Sequence, residues 1–245
     1  VCEECRRVLT SAAIVGRAFT FELLEALGEA ETDALLDAVD EAERAHLIVG
    51  ASDGREARFA FAHELIRQTL VSSVSMPRRQ RLHLRVAEAL ENAHPGDVES
   101  QASDIAHHLY QAGAAADPEK TARYLALAGD QALAAAAFAE ALRNFEHALS
   151  LEPAEAGARA DLLYGRGRAL TSLGRWDEGL ADWQQALALY EQLGDAETVG
   201  RICWELCDQL NWAGRWPESL ETAHRGLAAV GEGASRYRCR LLALA

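Results

Sequence analysis

The stretch Gly174-Arg175-Trp176-Asp177-Glu178-Gly179 recurs forty residues on as Gly214-Arg215-Trp216-Pro217-Glu218-Ser219. Ala137-Phe138-Ala139-Glu140-Ala141 is an earlier, weaker copy. The two full copies read as a turn opening a helix: a backbone breaker, a bulky aromatic, then an acid in the first helical turn. A small residue (Ala141, Gly179, Ser219) follows each aromatic by three, where two helices approach closely. Beyond it runs a matching apolar ladder: Phe145, Ala148, Leu149; Trp183, Ala186, Leu187; Ala223, Gly226, Leu227. Self-similarity at this period marks a stack of helical pairs, none of which buries its own apolar face alone. The frame covers residues 122–155, 160–192 and 200–233. A further helix is expected over 100–113, packing ahead of the first repeat, and 236–245 should open a fourth repeat.

Composition agrees. The 245 residues are 49% hydrophobic and 25% charged, which excludes wholesale disorder. About a fifth of the chain is Ala and only 5 residues are Pro, a helix-forming bias. The formal net charge is −14. It is spread over both halves, with 11 bases against 16 acids in 1–95 and 13 against 22 in 96–245. Such a balance argues against coating nucleic acid or an anionic membrane, and no apolar run reaches the roughly 18 residues of a spanning helix.

Chemistry-bearing motifs are sparse. The one lysine, Lys120, precedes Thr121 as in a phosphate-binding loop, but Glu119 and Ala114 stand where both glycines are required. His63-Glu64 opens like a zinc-protease helix, yet Arg67 holds the second His position. Cys2 and Cys5 make a lone Cys-x-x-Cys, and Cys203 and Cys207 sit four apart, short of a four-ligand set. Five cysteines with no regular framework fit a reducing cytoplasm, and the bland reading is free thiols. His107-His108, adjacent on a helix, are expected to face solvent. No catalytic residues, no metal ligands and no cofactor of the segment's own are therefore expected.

Residues 1–95 mix signals. Helices are predicted over 3–13, over 21–27 capped by Thr20, and from a Thr32 cap with Leu35, Leu36, Val39 and Ala42 at helical spacing. Leu47-Ile48-Val49, the turn Ser52-Asp53-Gly54 and Arg58-Phe59-Ala60-Phe61 read as a β-hairpin. Helices near 63–73 and 78–93 follow, separated by Met76-Pro77, and His94-Pro95-Gly96-Asp97 is the natural domain boundary. Three helices and a two-stranded wing form the pattern of a winged helix. The expected fold is thus mainly α: a winged-helix domain over 1–95, then an α-α superhelix over 96–245 whose last repeat is cut short.

The repeats resemble the tetratricopeptide repeat, with its spacing stretched to 38–40 residues; Arg166 and Cys207 depart from the pattern of the first helix. Residues 8–93 resemble the winged-helix part of the regulatory NTPases called STAND proteins. The resemblance rests on residues 8–19, VLTSAAIVGRAF, and on Phe59-Ala60-Phe61-Ala62-His63-Glu64-Leu65-Ile66-Arg67-Gln68-Thr69-Leu70. A Met-His-Asp-Leu motif occupies the comparable place in plant resistance proteins. Here Ala62 replaces its Met and Glu64 its Asp.

That resemblance implies a segment of a longer bacterial signalling ATPase, of the LuxR-type regulator or cyclase-linked branch, with its P-loop outside the segment and ADP or ATP bound there. It implies that His63 senses nucleotide in the parent protein, by contact with the terminal phosphate of ADP. The simpler reading is that His63 caps its own helix. The partners implied are the upstream nucleotide-binding domain and a peptide, protein or small-molecule inducer at the repeats.

DNA readout is disfavoured, because the third helix, 31–44, carries six acids against one base. The basic cluster Arg78, Arg79, Arg81 and Arg85 with His83 fits a solvated or inter-domain face. A groove for the ligand is expected on Arg201, Trp204, Asp208, Asn211 and Trp212, which share one helical face, with Tyr164 and Arg168 at equivalent positions of the preceding repeat. The alternative reading of Trp204 and Trp212 is packing against a neighbouring repeat, whereas Trp176, Trp183 and Trp216 are read as structural. The alternative to a sensor segment is a free-standing tetratricopeptide scaffold for protein–protein interaction.

Overall fold

The computed structural model describes residues 1–52, 57–93, 99–233 and 235–244. The predicted turn at 52–54 and the boundary at 94–97 lie wholly or largely outside these residues. Among them the chain is mainly α, with thirteen α-helices and one three-stranded antiparallel sheet. Contacts divide it into two compact units, Val1–Ala128 and Gly129–Ala245.

In the first unit the order is α1 (Glu3–Val15), β1 (Ala18–Thr20), α2 (Phe21–Ala26), α3 (Thr32–Arg44), β2 (Ile48–Ser52), β3 (Ala57–Phe61), α4 (Glu64–Ser72), α5 (Met76–Ala93) and α6 (Ala102–Ala112). The expected hairpin, β2–β3, pairs Ile48 with Phe61 and Gly50 with Phe59. It gains a third strand: β1 adds to the other edge of β3, Phe19 opposite Phe59. Thr20 caps α2 as predicted, its hydroxyl accepting from the Leu23 amide at 3.2 Å. Thr32 does not cap α3; Glu31 holds that position, and the Thr32 hydroxyl donates to Glu25 instead. Met76-Pro77 does not separate two helices but opens α5, since proline is tolerated in a first turn where its missing N–H is unneeded. The core gathers Val8, Leu9, Ile14, Phe19, Leu35, Val39, Ile48, Phe61 and Val86. Leu36, from the same predicted stripe, is exposed.

Helix α6 packs chiefly on α5. The reason is a buried contact: Nδ1 of His83 lies 2.9 Å from Nδ1 of His108. His107 is exposed as expected; His108 is not.

Helix α7 (Pro118–Ala134) runs across the division between the units. The second unit continues with α8 (Phe138–Ser150), α9 (Ala156–Ser172), α10 (Trp176–Leu193), α11 (Ala196–Trp212), α12 (Trp216–Val230) and α13 (Arg236–Leu242). The repeat frame is visible in its turns. Gly174 and Gly214 are left-handed at φ 79° and 72°, and Ala136 takes the same place at φ 57°. In each turn the next amide reaches back to the preceding helix: Ala137 to Ala132, Arg175 to Leu170, Arg215 to Leu210. This is one αL helix stop, built three times.

The small positions do what close approach requires. Ala141 and Ser219 are buried, and a Cβ on Gly179 would come within 3.0 Å of Thr171 and of the Gly167 carbonyl. Phe145 lies between Gly129 and Gly165, and Trp183 against Gly167; a Cβ on any of these glycines would come closer than 3.0 Å to the ring. Arg166 and Cys207, the departures from the repeat pattern, are both partnered. Arg166 makes a two-pronged bond to buried Asp182, at 2.7 Å on each oxygen. The Cys207 thiol donates to the Ser219 carbonyl at 3.2 Å, and the Ser219 hydroxyl donates back to the Cys207 carbonyl.

Candidate functional site

The predicted groove residues all lie on α9 and α11, and the helical period brings them onto neighbouring faces. Tyr164 is buried, its position fixed because its carbonyl accepts the Trp183 indole N–H at 3.0 Å. Two guanidiniums lie near its ring: Arg201 at 5.2 Å from the centroid and Arg168 at 5.9 Å. Arg201 also reaches Glu205, one turn on, at 3.4 Å. Burial pushes the Glu205 carboxyl above its usual range.

Trp204 is half-buried, and its plate is already occupied. Tyr237 of α13 lies 6.3 Å away ring to ring, and Arg240 sits 4.3 Å over the indole. The packing alternative therefore describes Trp204. Arg236 stacks on Tyr237 at 4.7 Å. Each such contact is worth about 0.5–1 kcal/mol at an exposed site. Sequence reasoning missed Tyr237, Arg236 and Arg240, although their spacing of three and four residues on a first helix was the signal available.

At the far end of the same α11 face, Asp208 is exposed, Asn211 half-exposed and Trp212 87% exposed. Trp183 is 1% exposed, as its structural reading required, but Trp216 is 65% exposed. That corrects its assignment: Trp216 opens α12 with its ring largely in solvent. Two exposed indoles thus flank the α11–α12 turn.

Two nearby carboxylates complete the electrostatics. The Tyr190 hydroxyl donates to Asp161, and burial followed by that bond pushes the phenol up. Asp130 is also raised, by burial first, with Arg168 opposing and Asp161 adding.

In the first unit, His63 is the N-cap residue of α4, exposed, and its side chain makes no capping bond. The capping reading is thereby corrected. Glu64 turns to Arg67, at 2.6 Å, which holds its carboxyl below the usual range. The basic cluster disperses: Arg85 bonds Glu29 and the Leu27 carbonyl, and His83 is buried. All five cysteines are free thiols. Burial pushes Cys5 up to about 11 and Cys203 to about 12, away from the thiolate a metal needs. Among the described residues no group of three His, Cys, Asp or Glu is placed to hold a metal, and no helix is long and apolar enough to cross a membrane.

No protein-family model matches the chain, and no curated protein does. The solved structures to which the chain is similar include the following two. Aspartyl phosphate phosphatase F from Bacillus subtilis is 14% identical over 91% of this chain and 54% of that one, with a TM-score of 0.48. A STAND protein with a tetratricopeptide repeat sensor from Pyrococcus horikoshii is 12% identical over 94% of this chain and 44% of that one, at a TM-score of 0.44. The chain spans about half the length of each.

Proposed function

We propose that the repeat unit is a docking scaffold that holds a segment of a partner protein along the shared face of α9, α11 and α13. The observation that carries this reading is Trp212. It is 87% exposed at the end of a face whose other aromatics are already stacked. Leaving so large an apolar ring in water forgoes on the order of 2 kcal/mol of burial, and exposed aromatics with neighbouring Arg are the residues that dominate protein interfaces.

The test is a random peptide library displayed against the whole chain. Binders are expected that lose at least tenfold in affinity on Trp212→Ala, a change at a site too exposed to unfold the helix. A library whose binders ignore Trp212 and Tyr164 alike overturns the proposal.

A second reading has its own support in the first unit. An exposed imidazole whose side chain makes no capping bond stands at the start of a nine-residue helix, a position that suits an anion. This supports the role of His63 implied by the STAND resemblance, with ADP held by an upstream domain and the winged helix coupling nucleotide state to the repeats. In that longer protein His63→Ala should weaken ADP retention; unchanged ADP content would remove the reading.

A further inference from the structure

We propose that Cys2 and Cys5 form a redox couple, a dithiol that a low-molecular-weight disulfide such as glutathione disulfide converts to an internal disulfide. The pair sits at the start of α1, where Cys2 is the N-cap and Cys5 lies in the first turn. The Cys5 amide N–H donates to the Cys2 sulfur at 3.2 Å. The Cys5 sulfur is three bonds from that same nitrogen. Its Cα–Cβ bond leans toward the helix start, as every such bond in a helix does. Rotation about that one bond turns the Cys5 sulfur from its partner, the Ala38 carbonyl at 3.3 Å, toward Cys2.

The two thiols differ as an attacking and a resolving thiol must. Cys2 is exposed and can meet a disulfide from solution, whereas Cys5 is 0% exposed. Burial, with Glu41 and Cys2 adding, pushes Cys5 up to about 11, so it stays a thiol and does not compete for the first attack. Glu41 of α3 accepts the Cys2 backbone N–H at 2.8 Å. It also accepts a hydrogen bond from the Cys2 thiol, which holds its carboxyl below the usual range. A carboxylate already bonded to the S–H gives that proton a way out to solvent. The other three cysteines lack this combination: Cys203 and Cys207 are both buried, and Cys239 is exposed with no cysteine beside it in sequence.

The exchange balances in two steps. The Cys2 sulfur loses its proton and attacks one sulfur of glutathione disulfide. A Cys2–glutathione bond forms, the S–S bond of the oxidant breaks, and the leaving thiolate takes up a proton. Cys5 then loses its proton and attacks the Cys2 sulfur, closing Cys2–Cys5 and expelling the second glutathione thiolate, which takes up the other proton. Two protein thiols are oxidised and one disulfide is reduced to two thiols. The second step is intramolecular, so it outruns a further molecule from solution. Closure removes two bonds to α3, because the Cys5 thiol leaves Ala38 and the Cys2 thiol no longer donates to Glu41. The redox state of the pair is thereby registered where α1 meets α3, two helices of one core.

Cleavage by trypsin after Arg6 yields a peptide, residues 1–6, that carries both cysteines. The whole native chain is exposed to glutathione disulfide, quenched in acid, unfolded, alkylated with iodoacetamide and digested, and this peptide is weighed. A closed disulfide is expected, lighter than the dithiol by two hydrogens and closed to alkylation. It should exceed the Cys2–glutathione adduct by about tenfold or more, while Cys239 stops at its adduct. Cys5→Ser, with Cys5→Ala as the second variant should a buried hydroxyl perturb folding, should arrest at the Cys2–glutathione adduct. Cys2→Ser should leave Cys5 unmodified. A wild-type chain whose Cys2 stops at the adduct overturns the proposal, as does a peptide that stays a dithiol under conditions that modify Cys239. So does a Cys2→Ser chain whose Cys5 takes up glutathione as fast as Cys239.

Discussion

His83 and His108 face each other through their Nδ1 atoms at 2.9 Å, both rings buried. Such a pair has room for one proton between the two nitrogens: one ring donates, the other must accept. Burial holds His83 down to about 4, helped by His107 and Arg79. It holds His108 down to about 3, with His83 and His107 adding and a bond to the Val15 backbone opposing. An unfolded histidine takes up its proton near pH 6.5. Between there and pH 4 the unfolded chain binds more protons than the folded one, so stability is complete above about 6.5 and falls as pH drops. The slope approaches about 1.4 kcal/mol per pH unit for each histidine. Urea unfolding of wild type and His83→Gln/His108→Gln at pH 7.5 and 5.0 checks this; an equal loss in both proteins would refute it.

Gly165→Ala places a methyl against the Phe145 ring, which cannot retreat because Gly129 holds its other side. Overpacking of this kind costs about 1–3 kcal/mol, against roughly 1 kcal/mol gained in helix propensity. Net destabilisation is expected, with partial recovery in Gly165→Ala/Phe145→Leu. Thermal melting of the single and double variants measures it, and a Gly165→Ala protein at least as stable as wild type would contradict the packing.

Ala136→Gly should stabilise the chain. The left-handed φ of 57° costs an alanine about 1–2 kcal/mol, and glycine's extra unfolded-state freedom returns about 0.4–1 kcal/mol of that. The reverse changes, Gly174→Ala and Gly214→Ala, should lower Tm although a Cβ would meet nothing within 4 Å at either site. A rise in Tm for those two would show that backbone strain is not what the turns select against.

Asp182→Ala strands the Arg166 guanidinium at the α9–α10 contact. Losing one member of a buried pair costs about 3–5 kcal/mol, and the partial exposure of Arg166 puts the expected loss near 2–3 kcal/mol. Removing both charges in Arg166→Met/Asp182→Leu should restore most of it. Denaturant midpoints for the two variants decide, with an equal loss in both counting against the ion pair.

The helical pairs were legible because Gly174 and Gly214 take an αL stop without strain, and each is tied to an aromatic two residues on. The first copy was fainter because Ala136 accepts that strain, so no glycine marks it. What the sequence concealed was long-range. His108 read as solvated because its partner, His83, is twenty-five residues away. Strand β1 is three residues long and has no alternation to show; it exists only because β3 offers an edge. On the candidate face the α11 period was visible, whereas the covering of Trp204 by Tyr237 and Arg240 depends on how α13 packs. His63 failed as a cap because a histidine ring, unlike a short hydroxyl or carboxylate, made no bond to its own first turn.

The keyed contacts described above limit how such an array can diversify. Phe145 fits only where Gly129 and Gly165 make room for it, Trp183 only beside Gly167, and Gly226 meets Cys203 and Leu241. Each junction has its own lock, so these repeats are not interchangeable parts. A chain built by tandem copying of any one of them would carry a bulky ring facing a side chain instead of a gap at every new seam. Duplication could lengthen this array only if the residues on both sides of the seam changed together.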